Sequence, residues 1–190
     1  MVESAADEDL MLRYAQGDAA AFDELYARHR GGVFRYLLRH LGSRAQAEEL
    51  FQDLWMNLIG ARERYRVEAK FTTWLYTMAH NRLIDFYRRQ RPLEVVSLDA
   101  GDDEDDPPPQ VAASPASEPH RAVEARQQAA RLLRLVDALP AAQREAFLLQ
   151  QEGDLSVEQI AEITGVDRET VKSRLRYAMD KLRRGMGELL

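Results

Sequence analysis

The 190 residues include no cysteine, which excludes disulfides, thiol nucleophiles and thiolate metal sites together. Histidine is scarce: His29, His40, His80 and His120 stand far apart, and no H-E-x-x-H pair or carboxylate-rich loop accompanies them. A glycine-rich phosphate loop is missing, and so is a serine nucleophile elbow. No catalytic residue, metal ligand or cofactor is therefore assigned, no small-molecule substrate is expected, and the chain does not read as an enzyme. No apolar run approaches the roughly 20 residues that cross a bilayer. The N-terminal stretch MVESAADEDL is acidic rather than signal-like, so the cytoplasm is the expected compartment.

Cations are absent from one place in particular. Between Pro92 and His120 stand eight acids (Glu94, Asp99, Asp102, Asp103, Glu104, Asp105, Asp106 and Glu118) and no Lys or Arg. The formal net charge is -6, so the remainder of the chain carries +2. The acidic balance thus belongs to the middle and does not argue against a nucleic-acid partner for the flanks. The same stretch, with its Pro107-Pro108-Pro109 run and small residues, has neither helical nor strand period and reads as a flexible, extended linker. It divides the chain into residues 1–91, a linker over 92–119 and residues 120–190.

Alternation of the β type is convincing nowhere; the fold class is all-α, as two small helical domains. In the first, Asp18 is positioned to cap a helix with Phe22, Leu25, Tyr26 and His29 on one stripe. Gly31-Gly32 is expected to interrupt it before Val33 to Leu41 resumes. Ser43 caps a next helix with the stripe Ala47, Leu50, Phe51, Leu54 and Leu58, and a polar stretch from Gly60 to Lys70 precedes a helix from Thr72 or Thr73 to about Gln90. In the second domain a helix from about His120 to Ala138 precedes Pro140, which suits a first helical turn. Ser156 with Gln159 forms a capping box opening a short helix through Ile163. Gly165 permits a tight turn, and Asp167 is placed to cap the terminal helix. Short helix, glycine turn and longer basic helix make a helix-turn-helix.

On that terminal helix Val171, Leu175, Ala178 and Leu182 recur at helical spacing and face the core. Lys172, Ser173, Arg176, Tyr177 and Arg183 then point mainly outward, with Arg174 and Lys181 at the boundary. A helix fits the major groove, where Arg and Lys donate to guanine acceptors and further cations neutralise phosphates. A solvated basic surface helix is the plainer alternative; the capped partner helix and the Gly165 turn favour DNA.

With these elements in place, the stretch from Leu139 to Arg183 resembles the second conserved domain of bacterial RNA polymerase sigma factors, nearest to the small extracytoplasmic-function (ECF) class of the sigma-70 family. The matching elements are Leu139-Pro140, Arg144, Gln159-Ile160-Ala161-Glu162, Gly165 and Thr170 to Leu182. Gln159 departs from the Glu often found there. The resemblance implies that this domain reads the promoter -35 element, with Arg168, Thr170, Lys172, Ser173, Arg174, Arg176, Tyr177 and Lys181 on double-stranded DNA.

Residues 47–91 resemble the sigma domain that binds the polymerase clamp and melts the -10 element. Its marks are the acidic and apolar helix Glu48 to Leu58, then Phe71, Thr73, Trp74, Leu75, Ala79, Asn81, Asp85, Arg88 and Arg89. By helical geometry Trp74, Thr77, Asn81, Asp85 and Arg88 share one face, and Leu75, Ala79 and Phe86 another. The first face suits unpaired bases and phosphates; for Trp74 a core position is the equal alternative. The resemblance implies a -10 set of Arg64, Lys70, Thr73, Trp74, Thr77, Asn81, Asp85, Arg88 and Arg89 on the melted single strand, with the loop Arg64 to Lys70 holding an extruded base. Glu49, Gln52, Asp53, Trp55, Met56 and Ile59, turned away from the core stripe, are assigned to core RNA polymerase at the clamp of its β' subunit. Cover by a neighbouring helix is the other reading for the apolar ones.

ECF factors are commonly held by an anti-sigma factor, often at the inner membrane, and this partner is implied here too. Two alternatives stay open: a free-standing regulator that uses only the helix-turn-helix, and a sigma-like protein that sequesters another regulator. In the family the linker threads the polymerase RNA channel, where a polyanionic chain can mimic RNA charge, although a plain spacer serves equally well. Replacing Asp102, Asp103, Glu104, Asp105 and Asp106 with Ser is expected to alter the yield of abortive transcripts; unchanged initiation rejects charge mimicry.

Overall fold

A computed structural model describes residues 5–90 and 120–187, with side chains described outside 120–124. The expected linker, 92–119, lies outside the described residues. Among those described there are eight α-helices, one 3-10 turn and no strand. They are α1 (Asp7–Ala15), α2 (Ala19–Leu41), α3 (Arg44–Ala61), the 3-10 turn Arg62–Arg64, α4 (Phe71–Gln90), α5 (His120–Asp137), α6 (Ala141–Gly153), α7 (Val157–Thr164) and α8 (Arg168–Gly187). The described residues fall into two compact units, one drawn from Met1–Val96 and Leu148–Arg168, the other from Ser97–Phe147 and Glu169–Leu190. The sequence division follows composition, whereas these units follow packing, and they partition the chain differently.

The helix starts obey local chemistry. Asp18 accepts from the amides of Ala20 and Ala21 at 3.1 and 3.3 Å, and Ser43 from Gln46 at 3.5 Å. Each satisfies amides that the first turn leaves without partners. Gly42 closes α2 in the left-handed region at φ 65°. Contrary to the sequence expectation, α2 runs unbroken through Gly31-Gly32. A glycine pair weakens a helix without breaking its hydrogen-bond ladder, and Gly32 is a point of close approach: a Cβ there would lie 2.7 Å from the Glu152 carbonyl oxygen.

In the first unit Leu25, Val33, Tyr36 and Leu37 of α2, Ala47, Leu50, Leu54 and Leu58 of α3, and Phe71, Leu75, Ala79 and Leu83 of α4 are buried. The expected α3 stripe is found, with Phe51 half-buried at its edge. Helix α1 is an addition to the sequence reading. Its Leu10 and Met11 are fully buried, and its acidic first turn ties two other helices. Asp7 accepts from Arg28 at 2.6 Å and pairs with His29 at 2.7 Å. Glu8 accepts the Phe71 amide at 2.7 Å, capping α4 from 63 positions away. At nine residues α1 is too short for a periodic signal to stand out.

In the second unit Val171, Leu175, Ala178 and Leu182 of α8 are buried, as their spacing requires. Arg131 of α5 donates to the Gly185 carbonyl at 2.7 Å, and Gly185 admits Leu135, whose Cδ2 would stand 2.4 Å from a Cβ.

Burial pushes the Asp7 carboxyl up, but hydrogen bonds from His29 and Arg28 outweigh it and hold the group below the usual aspartate range. Its stabilising contribution is therefore full above about pH 4 and is lost as pH falls through the lowered native value. Asp7→Ala should cost about 1–2 kcal/mol at pH 7 and flatten the acid limb of the stability profile, as read by urea unfolding at stepped pH.

Candidate nucleic-acid and polymerase interfaces

The short helix before the basic end, α7, is set by its caps. Ser156 Oγ accepts the Gln159 amide at 3.3 Å while Gln159 Oε1 accepts the Ser156 amide at 2.8 Å, the reciprocal box expected from the sequence. Gly165 turns the chain at φ 70°, a left-handed conformation open to glycine, and α8 begins at Arg168. With its apolar stripe buried, α8 presents Arg168, Lys172, Arg176, Tyr177 and Lys181 to solvent, while Thr170, Ser173 and Arg174 are half-buried. Tyr177 is 50% exposed, and the Arg176 guanidinium carbon lies 5.0 Å from its ring centroid. That contact orients a cation and an aromatic on the outward face. Arg168 pairs with Glu158, and Lys172 with Glu169 at 2.7 Å. Such exposed pairs are weak and exchange readily for phosphate.

On α4 the two faces separate as helical geometry requires. Leu75 and Ala79 are buried with Phe86 half-buried, while Asn81, Asp85, Arg88 and Arg89 are exposed and Thr77 is half-buried, its hydroxyl donating to the Thr73 carbonyl at 2.7 Å. Arg64 and Lys70 are exposed in the connection before α4. Trp74 takes neither extreme of the sequence alternatives: it is half-buried, its ring centroid 5.0 Å from Tyr65 and 6.1 Å from Phe71. Thr73 is a correction. Its side chain is only 2% exposed, and its Oγ1 accepts from the Gln159 amide nitrogen at 2.6 Å. Thr73 is held inward because α7 packs against α4.

Sequence reasoning passed over Tyr65. It is buried in the loop 62–70, its hydroxyl has no hydrogen-bond partner, and burial followed by the charges of Glu8 and Asp7 pushes its pKa up to about 12. It therefore stays a neutral phenol that buttresses Trp74. Its aromatic character, alone among charged neighbours in RERYRVEAK, is the signal that could have found it.

On α3, Glu49, Gln52, Asp53 and Met56 are exposed, Met56 by 61%, and Ile59 is half-buried. Trp55 is the second correction. It is 5% exposed, with ring centroids at 4.9 Å from Tyr26, 5.9 Å from Phe22 and 6.1 Å from Phe51. Three aromatics from α2 and α3 close over it, so the polar and apolar set facing solvent narrows to its neighbours. Among the described residues no cluster of His, Asp and Glu is suited to a metal, and no helix is long and apolar enough to cross a membrane.

These two helical segments have counterparts. Residues 25–92 match Sigma-70 region 2, and residues 129–182 match Sigma-70, region 4. The chain is 35% identical over 172 residues to the ECF RNA polymerase sigma factor RpoE of Cereibacter sphaeroides, covering 89% of this chain and 88% of that one. It is 31% identical over 179 residues to the RNA polymerase sigma factor CarQ of Myxococcus xanthus, covering 94% and 97% respectively. In fold it is similar to CnrH, solved in complex with the cytosolic domain of CnrY, with TM-score 0.63 and 22% identity over 95% of this chain and 96% of the other. It is likewise similar to the sigma factor RpoE of Bartonella quintana, solved with the anti-sigma factor NepR, with TM-score 0.64 and 21% identity over 87% and 96%. The helical architecture is thus that of sigma-70 family proteins. Within it, the chain belongs to the ECF sigma factors, which act in promoter-directed transcription initiation.

If α8 lies in a major groove, Arg176 sits where a side chain reaches base edges. Arg176→Ala should cost about 1–3 kcal/mol of promoter binding by the holoenzyme. The loss should appear on promoters with an intact -35 element and vanish when that element is scrambled, as read by fluorescence anisotropy.

Proposed function

We propose that this chain binds core RNA polymerase, reads the -35 duplex with α8 and opens the -10 element with α4 and the loop 64–70, acting by binding rather than as an enzyme. Residues 120–190 carry the first contact with DNA and residues 1–91 the second. The observation that carries this reading is the division of α8: its apolar stripe is buried and the opposite side presents Lys172, Arg176, Tyr177 and Lys181. A helix so divided, preceded by a capped partner helix and a glycine turn, has the form that enters a major groove.

Opening requires a surface for unpaired bases. The half-buried Trp74, steadied by Tyr65, offers an aromatic ring for stacking, and the exposed amide of Asn81 stands two turns further along α4. Arg88 and Arg89 continue the helix with cations for phosphates. Unstacking a base costs a few kcal/mol and must be repaid by such contacts. Glu49, Gln52, Asp53, Met56 and Ile59 form the surface assigned to the clamp of the β' subunit, a mixed polar and apolar patch of the kind that anchors protein interfaces.

An anti-sigma factor is the proposed regulator, blocking the polymerase and DNA surfaces. The solved relatives described as bound to CnrY and to the anti-sigma factor NepR support this. The chain works in the cytoplasm, where its polymerase and promoter are, and an anti-sigma factor can hold it at the inner membrane.

Transcription in vitro with core polymerase over a genomic promoter library tests the reading, with defined starts expected only when the chain is present. Asn81→Ala should slow opening roughly tenfold, about 1.4 kcal/mol, while leaving closed-complex affinity nearly unchanged. Permanganate reactivity of the -10 thymines, followed against filter binding, separates the two steps. Equal losses in both contradict the assignment.

A further inference from the structure

We propose that the acidic first turn of α1 is a positioning element for promoter opening, in which Glu8, by accepting the Phe71 amide, sets the aromatic platform that carries Trp74. The inference rests on the assignment of α4 and the loop 64–70 to the -10 element. Helix α1 lies outside residues 25–92, the stretch that matches Sigma-70 region 2. The need for it arises in α4 itself. The first turn of a helix leaves amides without partners, and Lys70, immediately before Phe71, has no side-chain acceptor to offer them. The Lys70 carbonyl accepts the Trp74 amide at 3.3 Å, so Trp74 stands in this same first turn. Glu8 Oε1 accepts the Phe71 amide at 2.7 Å, and its charge suits the positive end of the helix.

A chain of contacts carries the position of Glu8 to Trp74. The turn is anchored on α2, where Asp7 accepts from Arg28 at 2.6 Å and pairs with His29 at 2.7 Å, and Arg28 also donates to the Ala5 carbonyl at 2.7 Å. Leu10 and Met11, fully buried, hold the rest of α1 in the core. Fully buried Phe71 is the next link, its ring centroid 5.3 Å from His29, 6.3 Å from Tyr65 and 6.1 Å from Trp74. Tyr65 closes the triangle at 5.0 Å from Trp74. Burial first, and then the charges of Glu8 and Asp7, push the Tyr65 phenol up to about 12, so the acidic turn stands beside the loop aromatic as well as beside α4. A further tie joins α1 to the start of the loop: the Arg62 guanidinium carbon lies 6.0 Å from the Tyr14 ring centroid. A ring fixed in this way loses less conformational freedom when an unpaired base stacks on it, which favours the opened state. The closed complex, in which no base has left the duplex, gains nothing from it.

Two variants of Glu8 separate positioning from plain support. With full-length protein, core polymerase and native promoter, Glu8→Ala should slow opening roughly fivefold, the effect of one lost hydrogen bond. Affinity for core polymerase and for the closed promoter should stay unchanged. The amide oxygen of Glu8→Gln still accepts the Phe71 amide, so this variant should open to within about twofold of the native rate. A spectroscopic signal follows the platform directly. The chain has two tryptophans, and Trp55 Nε1 makes no hydrogen bond, so Trp55→Phe removes none and leaves Trp74 as the sole reporter. In that background Glu8→Ala should shift Trp74 emission to the red and raise its quenching by acrylamide, with helix content by circular dichroism unchanged. Normal opening in Glu8→Ala overturns the proposal, and so does a Glu8→Gln variant as slow as Glu8→Ala. Parallel losses of core affinity and opening overturn it as well, because they mark general destabilisation of the helices. Slow opening beside an unchanged Trp74 signal overturns the route through the aromatic platform. A failure of the -10 assignment shows separately, as an Asn81→Ala variant with normal opening.

Discussion

A helix that buries one stripe must present the opposite one, and the surfaces proposed to bind DNA depend on that constraint. On α8 the stripe Val171, Leu175, Ala178 and Leu182 is inside, and its burial, worth about 1.5–3 kcal/mol for each large side chain, fixes the rotation of the helix about its axis. Arg176 and Tyr177 are outward because Leu175 and Ala178 are inward. On α4 the burial of Leu75, Ala79 and Leu83 similarly turns Asn81, Asp85 and Arg88 outward. Neither proposed binding face needs a dedicated scaffold beyond the core that already stabilises its unit.

Caps and glycines set where those faces begin. The Ser156–Gln159 box and the left-handed Gly165 place the start of α8, and Glu8 places the start of α4 by accepting the Phe71 amide. The second case joins the acidic N-terminal turn to the start of α4, so α1 supports the face proposed for the -10 element although none of its residues was assigned there. Buried Tyr65 extends the same support to Trp74 through ring contact.

Much of this was legible because it is periodic or locally capped. The α3 and α8 stripes, the Asp18 and Ser43 caps, and the helix-turn-helix all follow from residues within one or two turns of each other. What escaped depends on residues distant in sequence. Trp55 turns inward because Phe22 and Tyr26 of α2 and Phe51 of α3 enclose it, and no spacing within α3 announces that cover. Thr73 is buried by Gln159, 86 positions away. Gly31-Gly32 read as an interruption because glycine weakens helices; Gly32 instead serves the approach of the Glu152 carbonyl, a partner that local rules cannot name.

The absence of cysteine makes a direct spatial test clean. Single cysteines at Lys181 and at Asn81, each carrying a tethered hydroxyl-radical cleavage reagent, report which DNA lies beside α8 and beside α4 in the holoenzyme–promoter complex. The account predicts two separate clusters of strand breaks that require core polymerase, at -35 from Lys181 and at -10 from Asn81. Breaks from both sites at one place, or the same cutting without polymerase, would contradict it.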